Sequence, residues 1–389
     1  MNTIHLCPVC GDSRISDFLR RDAVPVHQNL LLASRTDALQ VARGNLNFAL
    51  CHGCGFIFNR TFDISKLTYG VDYDNTQSHS PYFARYMAGL ADHLLREEGV
   101  TNSRIVEVGC GKGTFLKLLV ADPAYGNSGF GFDPSYVGPE YDMEGRLHFA
   151  RCFYDEKCAG LPADVVVCRH VIEHVPRPLE LLQAVRRALA NEPSAKLYFE
   201  TPCAEWILRN HVIWDFFYEH CSLFSVTSLC TAFERAGFSV RSVRHLFGGQ
   251  YLWLEAGLSS ATFDGFSANA GDIPMLGQQF GVAEKQLREN WKKRIVKIGA
   301  SGKLAIWGAG AKGTTFAHLM DPENKLIDCI VDLNPNKQGK FLPGTGHPVV
   351  GVKKLNTRRV RSAILMNPIY RKENETVLAE HKIAIDLIG

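Results

Sequence analysis

Four cysteines near the start of the chain have the spacing of a metal site. They form two Cys-x-x-Cys pairs that a long insert separates: Cys7, Cys10, Cys51 and Cys54. Each pair can sit on a tight turn, and two such turns supply four thiolates to a tetrahedral Zn²⁺. Because four thiolates complete the coordination shell, we expect a structural ion. Chance pairing of buried cysteines is one alternative. A redox pair is another, but neither pair follows a strand and opens a helix.

A glycine-rich segment, Glu-Val-Gly-Cys-Gly-Lys-Gly from Glu107 to Gly113, could bind a nucleotide-like ligand. It lies between a predicted strand at 104–108 and a predicted helix at 114–120. Glycines let the backbone turn sharply and approach a ligand, and N–H groups at a helix start can meet a carboxylate. Asp133 ends the next predicted strand, where a carboxylate can accept hydrogen bonds from both hydroxyls of a ribose. A plain tight turn is the alternative interpretation.

A Glu-His pair, Glu219 and His220, lies in an aromatic run from Trp214 to Ser225 that could support proton transfer. Aromatic walls exclude water, and a carboxylate can orient an imidazole. Because the unperturbed pKa of imidazole is about 6.5, His220 can act as a base near neutral pH. An ordinary interior histidine beside an exposed glutamate is the alternative.

The elements around these residues predict an α/β fold. Apolar strands alternate with helical patterns through the middle of the chain, which indicates a mostly parallel sheet. The predicted elements are a helix at 80–99 and strands at 104–108, at 129–135, from 164 and at 195–202. A charged helical segment after about residue 258 suggests a boundary, and a second α/β unit follows it.

Length and composition fit a globular protein of two or three domains. The chain has 389 residues, a formal net charge of +3, and 21% charged residues. So small a net charge gives no overall attraction to nucleic acid or to an anionic membrane. The N-terminal residues lack the layout of a signal peptide, and no apolar run approaches the roughly 20 residues of a membrane span. We therefore expect a cytoplasmic protein with its other eight cysteines reduced,.

The middle of the chain resembles class I S-adenosylmethionine-dependent methyltransferases. The resemblance covers about residues 100–205 and is carried by the Glu-x-Gly-x-Gly-x-Gly string, Gly-Phe-Gly-Phe-Asp-Pro-Ser and Asp-Val-Val-Val-Cys-Arg-His-Val-Ile-Glu-His-Val. It implies that the glycines wrap the methionine part of the donor, that Asp133 holds the ribose, and that the segment near Cys152 lies by the adenine. His174 is expected to be a packing residue. The implied donor-binding residues are Glu107, Gly109, Gly111, Gly113, Asp133, Phe153, Arg169 and His170.

The order of parts along the whole chain is similar to the three-domain sugar C-methyltransferase family. That family combines a four-cysteine zinc module, a methyltransferase domain and a C-terminal Rossmann-like domain, and the corresponding bounds here are 1–75, 76–257 and 258–389. Its Tyr-x-Glu-His-x-Ser-Tyr-Phe string is matched at Glu219, His220, Ser222 and Phe224, and its tyrosine- and serine-rich segment at Tyr69, Tyr73, Ser78 and Ser80. Its paired glycines are matched by Gly248 and Gly249.

Two departures fall in substrate-facing segments. The family tyrosine three residues before the histidine is Phe217 here, and the nearest hydroxyl is that of Tyr218. The arginine that follows the paired glycines in the family is absent from Gln250-Tyr251-Leu252. These departures affect the acceptor rather than the methyl donor.

The resemblance implies deoxysugar biosynthesis, with C-methylation of a nucleotide-linked keto-sugar or a similar small carbonyl compound. His220, helped by Glu219, would remove the proton next to the carbonyl, and Tyr73 and Tyr218 are further catalytic candidates. An O- or N-methyltransferase acting on another small molecule is the first alternative. A zinc-bearing RNA methyltransferase would need a basic stripe with stacking aromatics. Intact donor glycines and Asp133 argue against a binding module without enzymatic activity.

A second glycine loop, Gly308-Ala-Gly-Ala-Lys-Gly313, follows a predicted strand at 303–307, and Asp332 ends the next strand. This pattern is typical of a dinucleotide site, so an enzyme with an additional redox activity is an alternative. We expect no redox cofactor here, because few strands remain for a complete dinucleotide fold. Lys312 and the glycine turn could instead contact a phosphate of the acceptor.

Overall fold

The structure is a computed structural model that describes residues 5–68, 70, 73, 77, 79–155, 158–259 and 269–389. Tyr69 and Ser78, which the resemblance assigned to the active site, lie outside these residues. In the described part of the chain, no helix has both the length and the apolar character that a membrane crossing needs.

An antiparallel sheet is built from the N-terminal part of the chain. Its elements are β1 (Ile15–Pro25), α1 (Arg35–Leu39), β2 (Arg43–Cys51) and β3 (Ile57–Asn59). β1 pairs with β2, and β2 pairs with β3. The edge of β3 is extended by residues 222–223, which directly follow His220 and Cys221. The segment that carries His220 is therefore tied to the N-terminal sheet.

The middle of the chain forms the large sheet. Its first elements are α2 (Pro81–Asp92), β4 (Arg104–Val108), α3 (Thr114–Val120), β5 (Ser128–Phe132), β6 (Tyr141–Asp142), β7 (Leu147–Ala150) and β8 (Val165–Arg169). The elements that follow are α4 (Pro178–Ala188), β9 (Lys196–Pro202), α5 (Ala204–Arg209), β10 (Ser222–Leu223), α6 (Val226–Arg235), β11 (Phe238–Leu246) and β12 (Tyr251–Leu258).

The strands of this sheet run in the order β11-β12-β9-β8-β4-β5-β7-β6. The five central strands, from β9 to β7, pair in parallel, and the strands at both edges of the sheet pair antiparallel. The carboxyl ends of β4, β5 and β8 therefore meet at one edge, where the residues predicted to bind the donor follow each strand. The expected α/β class, with a class I methyltransferase sheet, is confirmed.

The last part of the chain forms a parallel sheet. Its elements are α7 (Ile273–Gly299), β13 (Lys303–Trp307), α8 (Ala311–Met320), β14 (Cys329–Val331), β15 (Val349–Val350), α9 (Lys354–Arg358), β16 (Val360–Leu365), α10 (Arg371–Glu380) and β17 (Asp386–Ile388). The strand order is β15-β14-β13-β16-β17, and every pairing is parallel. The C-terminal unit is therefore Rossmann-like, with its glycine loop at the carboxyl end of the central strand β13.

Local signals explain the helix that precedes β4. The Ser80 hydroxyl accepts a hydrogen bond from the N–H of Phe83, and Pro81 occupies the first helical position, which suits its fixed φ,. The chain continues past Asp92 as one π-helical turn and stops at Gly99, whose φ is +64°. The predicted bounds of 80–99 therefore match the observed helix and turn.

The long helix α7 joins the N-terminal and C-terminal sheets. A Cβ at Gly277 would lie 2.4 Å from a methyl carbon of Leu50, and one at Gly281 would lie 2.4 Å from the carbonyl oxygen of Phe18. These glycines therefore let α7 approach β1 and β2 closely. A continuous core, which includes Phe48 of β2, Phe280 of α7 and Phe316 of α8, fixes the two outer sheets around the segment leading to His220.

Candidate active site

One cavity of about 570 Å³ lies between the carboxyl ends of the strands of the large sheet and those of the C-terminal sheet. Both glycine loops line it, the first through residues 109–112 and the second through Gly308 and residues 310–313. His220 also lines it. The cavity therefore connects the predicted donor site, the candidate base and the second glycine loop.

Steric contacts explain the glycines of the first loop. Gly109, Gly111 and Gly113 all have positive φ, which disfavours residues with a Cβ,. A Cβ at Gly109 would lie 2.1 Å from Val171, and one at Gly113 would lie 2.6 Å from the Phe149 ring. Gly109 and Gly113 therefore let the loop pack closely against Val171 and Phe149, and Gly113 precedes the first residue of α3.

Asp133, after β5, holds the loop in place. One carboxylate oxygen accepts a 2.9 Å hydrogen bond from the N–H of Gly111. The other accepts bonds of 2.7 and 2.6 Å from the N–H and hydroxyl of Ser135. Asp133 lines the cavity, so its remaining lone-pair position is available to a ribose,.

Arg169 and Glu200 form a buried ion pair at the end of β8. Nε of Arg169 donates to Glu200 at 2.7 Å, and the guanidinium lies over the Phe115 ring with its carbon 4.5 Å from the centroid. Nη2 of Arg169 is buried and makes no hydrogen bond to the protein, although Arg169 lines the cavity. A carboxylate entering the cavity could therefore accept from this guanidinium. The hydroxyl of Tyr86 also donates to Glu200. Neither Tyr86 nor Glu200 was among the residues predicted from the sequence.

His170 has a strained backbone and an acidic environment. Its φ is +55°, and its ring nitrogens each lie 3.4 Å from a carboxylate oxygen, of Glu173 and of Glu200,. Burial disfavours the imidazolium, but the two carboxylates outweigh it and raise the pKa of His170 to about 9,. His170 is therefore a cation at neutral pH, and it cannot act as a base without first losing a proton.

Two more predicted donor residues lie where expected along the cavity wall. Glu107, at the end of β4, accepts a 3.1 Å bond from the N–H of Leu116, and burial raises its pKa to about 8, although Arg169 opposes the shift. Cys152 and Phe153 also line the cavity, and 64% of Phe153 is exposed. That exposed ring suits a contact with a flat base.

His220 lies in an apolar part of the cavity wall. Its ring centroid is 4.1 Å from that of Phe217 and 4.8 Å from that of His174, with the two histidine rings nearly perpendicular. Burial, followed by the charges of His174, His170 and Lys312, holds the pKa of His220 well below its usual value. The imidazole is therefore neutral at pH 7 and keeps a lone pair that can accept a proton.

The carboxylate beside His220 is Glu173 rather than Glu219. Glu219 accepts a 2.8 Å hydrogen bond from the N–H of Gln28, and its other oxygen lies 3.9 Å from Nδ1 of His27. One oxygen of Glu173, in contrast, lies within 4.8 Å of nitrogens of His174 and His220. The expectation that Glu219 orients His220 stays a prediction, and the contacts of Glu219 described here are with the N-terminal part of the chain.

The two tyrosine candidates have different surroundings. The hydroxyl of Tyr218 accepts from the N–H of Asp63 at 2.9 Å and donates to its carbonyl at 3.2 Å, while its ring covers Gly44. Tyr218 is not among the described residues that line the cavity, and its catalytic role stays a prediction. Tyr73 does line the cavity, and its hydroxyl accepts from Asn29 at 3.3 Å.

His174 lies at the cavity rather than only in the protein interior. It was expected to be a packing residue, yet it lines the cavity and faces His220. The signal was present in the string Arg-His-Val-Ile-Glu-His, because a turn after Arg169 brings Glu173 and His174 to the same edge of the sheet. Nothing in the sequence shows that the distant His220 meets them there.

The second glycine loop repeats the architecture of the first. One oxygen of Asp332 accepts from the N–H of Ala309 at 2.8 Å, and the other accepts from the N–H of Asn334 at 2.8 Å. Lys312, at the start of α8, forms a 2.9 Å ion pair with Asp215 and lies 3.3 Å from the amide oxygen of Gln250. These contacts join the C-terminal loop to the segment that carries His220.

The four predicted metal ligands come together as one buried cluster. Their sulfur atoms all lie within 4.8 Å of one another, with Cys7 and Cys54 at 3.7 Å and Cys10 and Cys51 at 3.4 Å. Tetrahedral Zn²⁺ with bonds of about 2.3 Å requires sulfur separations of about 3.8 Å. Backbone N–H groups of Cys10 and Gly53 point to two of the sulfurs, which suits thiolates. The cluster could therefore hold Zn²⁺.

Comparisons with known proteins match both halves of the cavity. A family described as a methyltransferase domain matches residues 82–243, and one described as a C-methyltransferase C-terminal domain matches residues 274–383. The C-methyltransferase NovU of Streptomyces niveus is 26% identical over 378 residues, which are 88% of this chain and 84% of that protein.

Two further known proteins match over part of the chain. The ubiquinone biosynthesis O-methyltransferase of Klebsiella pneumoniae (strain 342) is 27% identical over 124 residues, 31% of this chain and 48% of that protein. A crystal structure of the Burkholderia thailandensis 1,6-didemethyltoxoflavin-N1-methyltransferase, with 1,6-didemethyltoxoflavin and S-adenosylhomocysteine, covers 47% of this chain and 83% of that one, with 14% identity and a TM-score of 0.36. The matched methyltransferase domain and the similarity to the C-methyltransferase NovU show that this chain is a methyltransferase enzyme.

Proposed function

We propose that this enzyme is a cytoplasmic C-methyltransferase that acts on a nucleotide-linked keto-sugar or a similar small carbonyl compound. The observation that carries the proposal is the neutral, apolar setting of His220, which lies in one cavity with both glycine loops. The match of residues 274–383 to a C-methyltransferase C-terminal domain and the similarity to NovU support carbon as the methylated atom. Domain bounds of 1–75, 76–257 and 258–389 are part of the same proposal.

The residues of the first loop would hold the donor. Asp133 would accept from the ribose, Phe153 would cover the adenine, and the backbone of Gly109 and Gly111 would lie along the methionine part. Arg169 has a buried guanidinium nitrogen without a hydrogen bond, which suits the methionine carboxylate,. When bound, S-adenosylmethionine supplies an electrophilic methyl group.

The second loop would hold the nucleotide part of the acceptor. α8 begins at this loop without a side-chain cap, and Gly310 and Ala311 line the cavity, so N–H groups at the helix start can meet a phosphate,. Lys312 adds a positive charge in the same place, although Asp215 partly neutralises it. These features favour an anionic acceptor whose reactive end reaches toward His220.

His220 would remove the proton from the carbon next to the acceptor carbonyl. The electrons of that C–H bond move toward the carbonyl to form an enolate, and the enolate carbon takes the methyl group. The proton leaves the imidazole for solvent, so the products are the methylated carbonyl compound, S-adenosylhomocysteine and one proton. Phe217 and the neighbouring apolar wall keep water from the enolate, and holding both reactants in one cavity lowers the barrier by several kcal/mol.

We also propose that Cys7, Cys10, Cys51 and Cys54 bind one structural Zn²⁺. The sulfur separations and the N–H groups directed at two of the sulfurs support this assignment. The cluster joins the chain before β1 to the turn between β2 and β3. Zn²⁺ would therefore stabilise the sheet that fixes residues 222–223, directly after His220 and Cys221.

Solvent exchange at carbon tests this function. The enzyme is incubated in heavy water with a panel of nucleoside-diphosphate keto-sugars, and deuterium next to the carbonyl is followed by mass spectrometry. The enzyme should introduce deuterium, and His220→Ala should slow both exchange and methyl transfer by about 10²–10⁴-fold while it keeps donor binding. His245→Ala, which removes an exposed histidine of β11, is the matched control. Methyl transfer to oxygen or nitrogen without exchange at carbon would favour the alternative methyltransferase classes.

A further inference from the structure

Three cavity-lining side chains, the proposed base His220 and its neighbours Glu173 and His174, form one cluster. One nitrogen each of His174 and His220 and one oxygen of Glu173 lie within 4.8 Å of one another. The Glu173 side chain is fully buried. One of its oxygens accepts a 3.1 Å bond from the Thr201 hydroxyl, and the other makes no hydrogen bond, although it lies 3.4 Å from Nδ1 of His170.

The surroundings of His220 oppose proton uptake. His170 and His174, in the turn after β8, act on His220 with their charges. Lys312, at the start of α8, also acts on His220 and forms an ion pair with Asp215. Burial is the largest cause of the lowered pKa of His220, and these charges lower the pKa further. A base in such a place must hold a proton briefly during turnover, so it needs a negative charge nearby.

Glu173 is placed to supply that charge. Glu219, which precedes His220 in the sequence, accepts from the N–H of Gln28 with one oxygen, and its other oxygen lies 3.9 Å from Nδ1 of His27. The Glu173 oxygen that makes no hydrogen bond lies 3.4 Å from Nδ1 of His170, and one oxygen of Glu173 lies within 4.8 Å of a nitrogen of each of His174 and His220. A carboxylate within about 4–6 Å of an imidazole favours its charged form. The Thr201 bond fixes the carboxylate in that orientation.

We propose that Glu173 is a positioning residue that stabilises the imidazolium formed when the His174–His220 pair takes a proton from the acceptor. This inference rests on the proposed function, in which the acceptor C–H bond breaks and its electron pair forms the enolate. The proton then resides on the pair, with Glu173 as its counter-charge, and leaves to solvent after the methyl group has moved. His174 lies beside His220 at the cavity wall and provides the neighbouring site for that proton.

Proton uptake by the histidine pair can be measured without an acceptor. The full chain, labelled with ¹⁵N-histidine, is titrated by NMR, and the two rings are assigned with His174→Asn and His220→Asn. Glu173→Gln should lower the midpoint of the first proton uptake by about one pH unit or more, because the counter-charge is lost. Glu219→Gln, the same change in the adjacent carboxylate, should shift the midpoint less.

Activity provides the second measurement. Glu173→Gln should slow heavy-water exchange and kcat by at least tenfold, move the acidic limb of the pH profile to lower pH, and leave the donor Kd within about twofold. Glu173→Asp should recover part of the rate. If Glu173→Gln does not fold, Thr201→Val, which releases the carboxylate, should shift the same midpoint in the same direction.

Two results would overturn the inference. The first is a midpoint of proton uptake in Glu173→Gln that stays within 0.2 pH units of the parent value. If Glu173→Gln does not fold, the same result in Thr201→Val would count instead. The second is a divalent ion, beyond one Zn²⁺ per chain, that the enzyme retains and Glu173→Gln loses, since the three side chains would then be metal ligands. A failure of every keto-sugar to exchange would contradict the proposed function alone, because the NMR titration still decides the role of Glu173.

Discussion

The donor site can be tested by one isosteric change, Asp133→Asn. The carboxylate of Asp133 offers about four lone-pair positions. Three are used by the N–H of Gly111 and by the N–H and hydroxyl of Ser135. A bound ribose must therefore use the remaining position or share one of these.

The expected loss follows from those contacts. An amide nitrogen in place of the oxygen near Gly111 would bring two donors together and remove the charge. One or two hydrogen bonds to a charged acceptor would be lost, at about 1.5 kcal/mol each, or about 1.5–3 kcal/mol in total. The Kd for S-adenosylmethionine should therefore rise by about 10- to 150-fold, as measured by titration calorimetry.

The chain offers a matched control in its second glycine loop. Asp332 accepts two 2.8 Å bonds from the N–H groups of Ala309 and Asn334, in the arrangement that Asp133 has in the first loop. Asp332→Asn should leave donor affinity within about twofold. Donor binding by Asp133→Asn that is as tight as in the parent would refute the assignment of Asp133 to the ribose. Equal weakening by Asp332→Asn would refute it as well.

Three further predictions concern the metal, pH and the acceptor. Elemental analysis of protein purified without added metal should find about one zinc per chain, and Cys51→Ser should lose it; a folded, metal-free parent would contradict the zinc site. The pKa of His170 is raised to about 9, so its stabilisation is complete below about pH 6.5 and is lost as the pH rises through 9,. The melting temperature of the parent should therefore fall more steeply from pH 7 to 9.5 than that of Glu200→Gln; parallel curves would exclude the His170–Glu200 interaction as the cause. Lys312→Met should raise the KM of a nucleotide-linked acceptor by about tenfold and leave the donor Kd unchanged; an unchanged KM would remove the second loop from the acceptor site.

Local patterns were sufficient for the elements around the donor loop. The strand at 104–108 and the helix at 114–120 match the predicted bounds, because an apolar run, a glycine turn and an amphipathic segment each act over a few residues. The strand at 303–307 matches for the same reason. The approach of the four cysteines also followed from spacing alone.

Side-chain directions around His220 depended on distant parts of the chain. Tyr218 turns toward Gly44, where the absence of a side chain leaves room for its ring, and Glu219 turns toward the N–H of Gln28. Neither partner is near in sequence, so no local pattern could separate these residues from Phe217, which does line the cavity. The meeting of Glu173 with His220 likewise depends on how the segment before β10 packs against the turn after β8.

The atom that receives the methyl group tests the central claim most directly. The enzyme would be incubated with S-adenosylmethionine carrying a ¹³C-methyl group and with a nucleoside-diphosphate keto-sugar, and the product examined by carbon–proton correlation NMR. A labelled methyl group bonded to the carbon next to the carbonyl, absent with His220→Ala, is the predicted result. A label found on oxygen or nitrogen, with the ring carbons unchanged, would contradict the account.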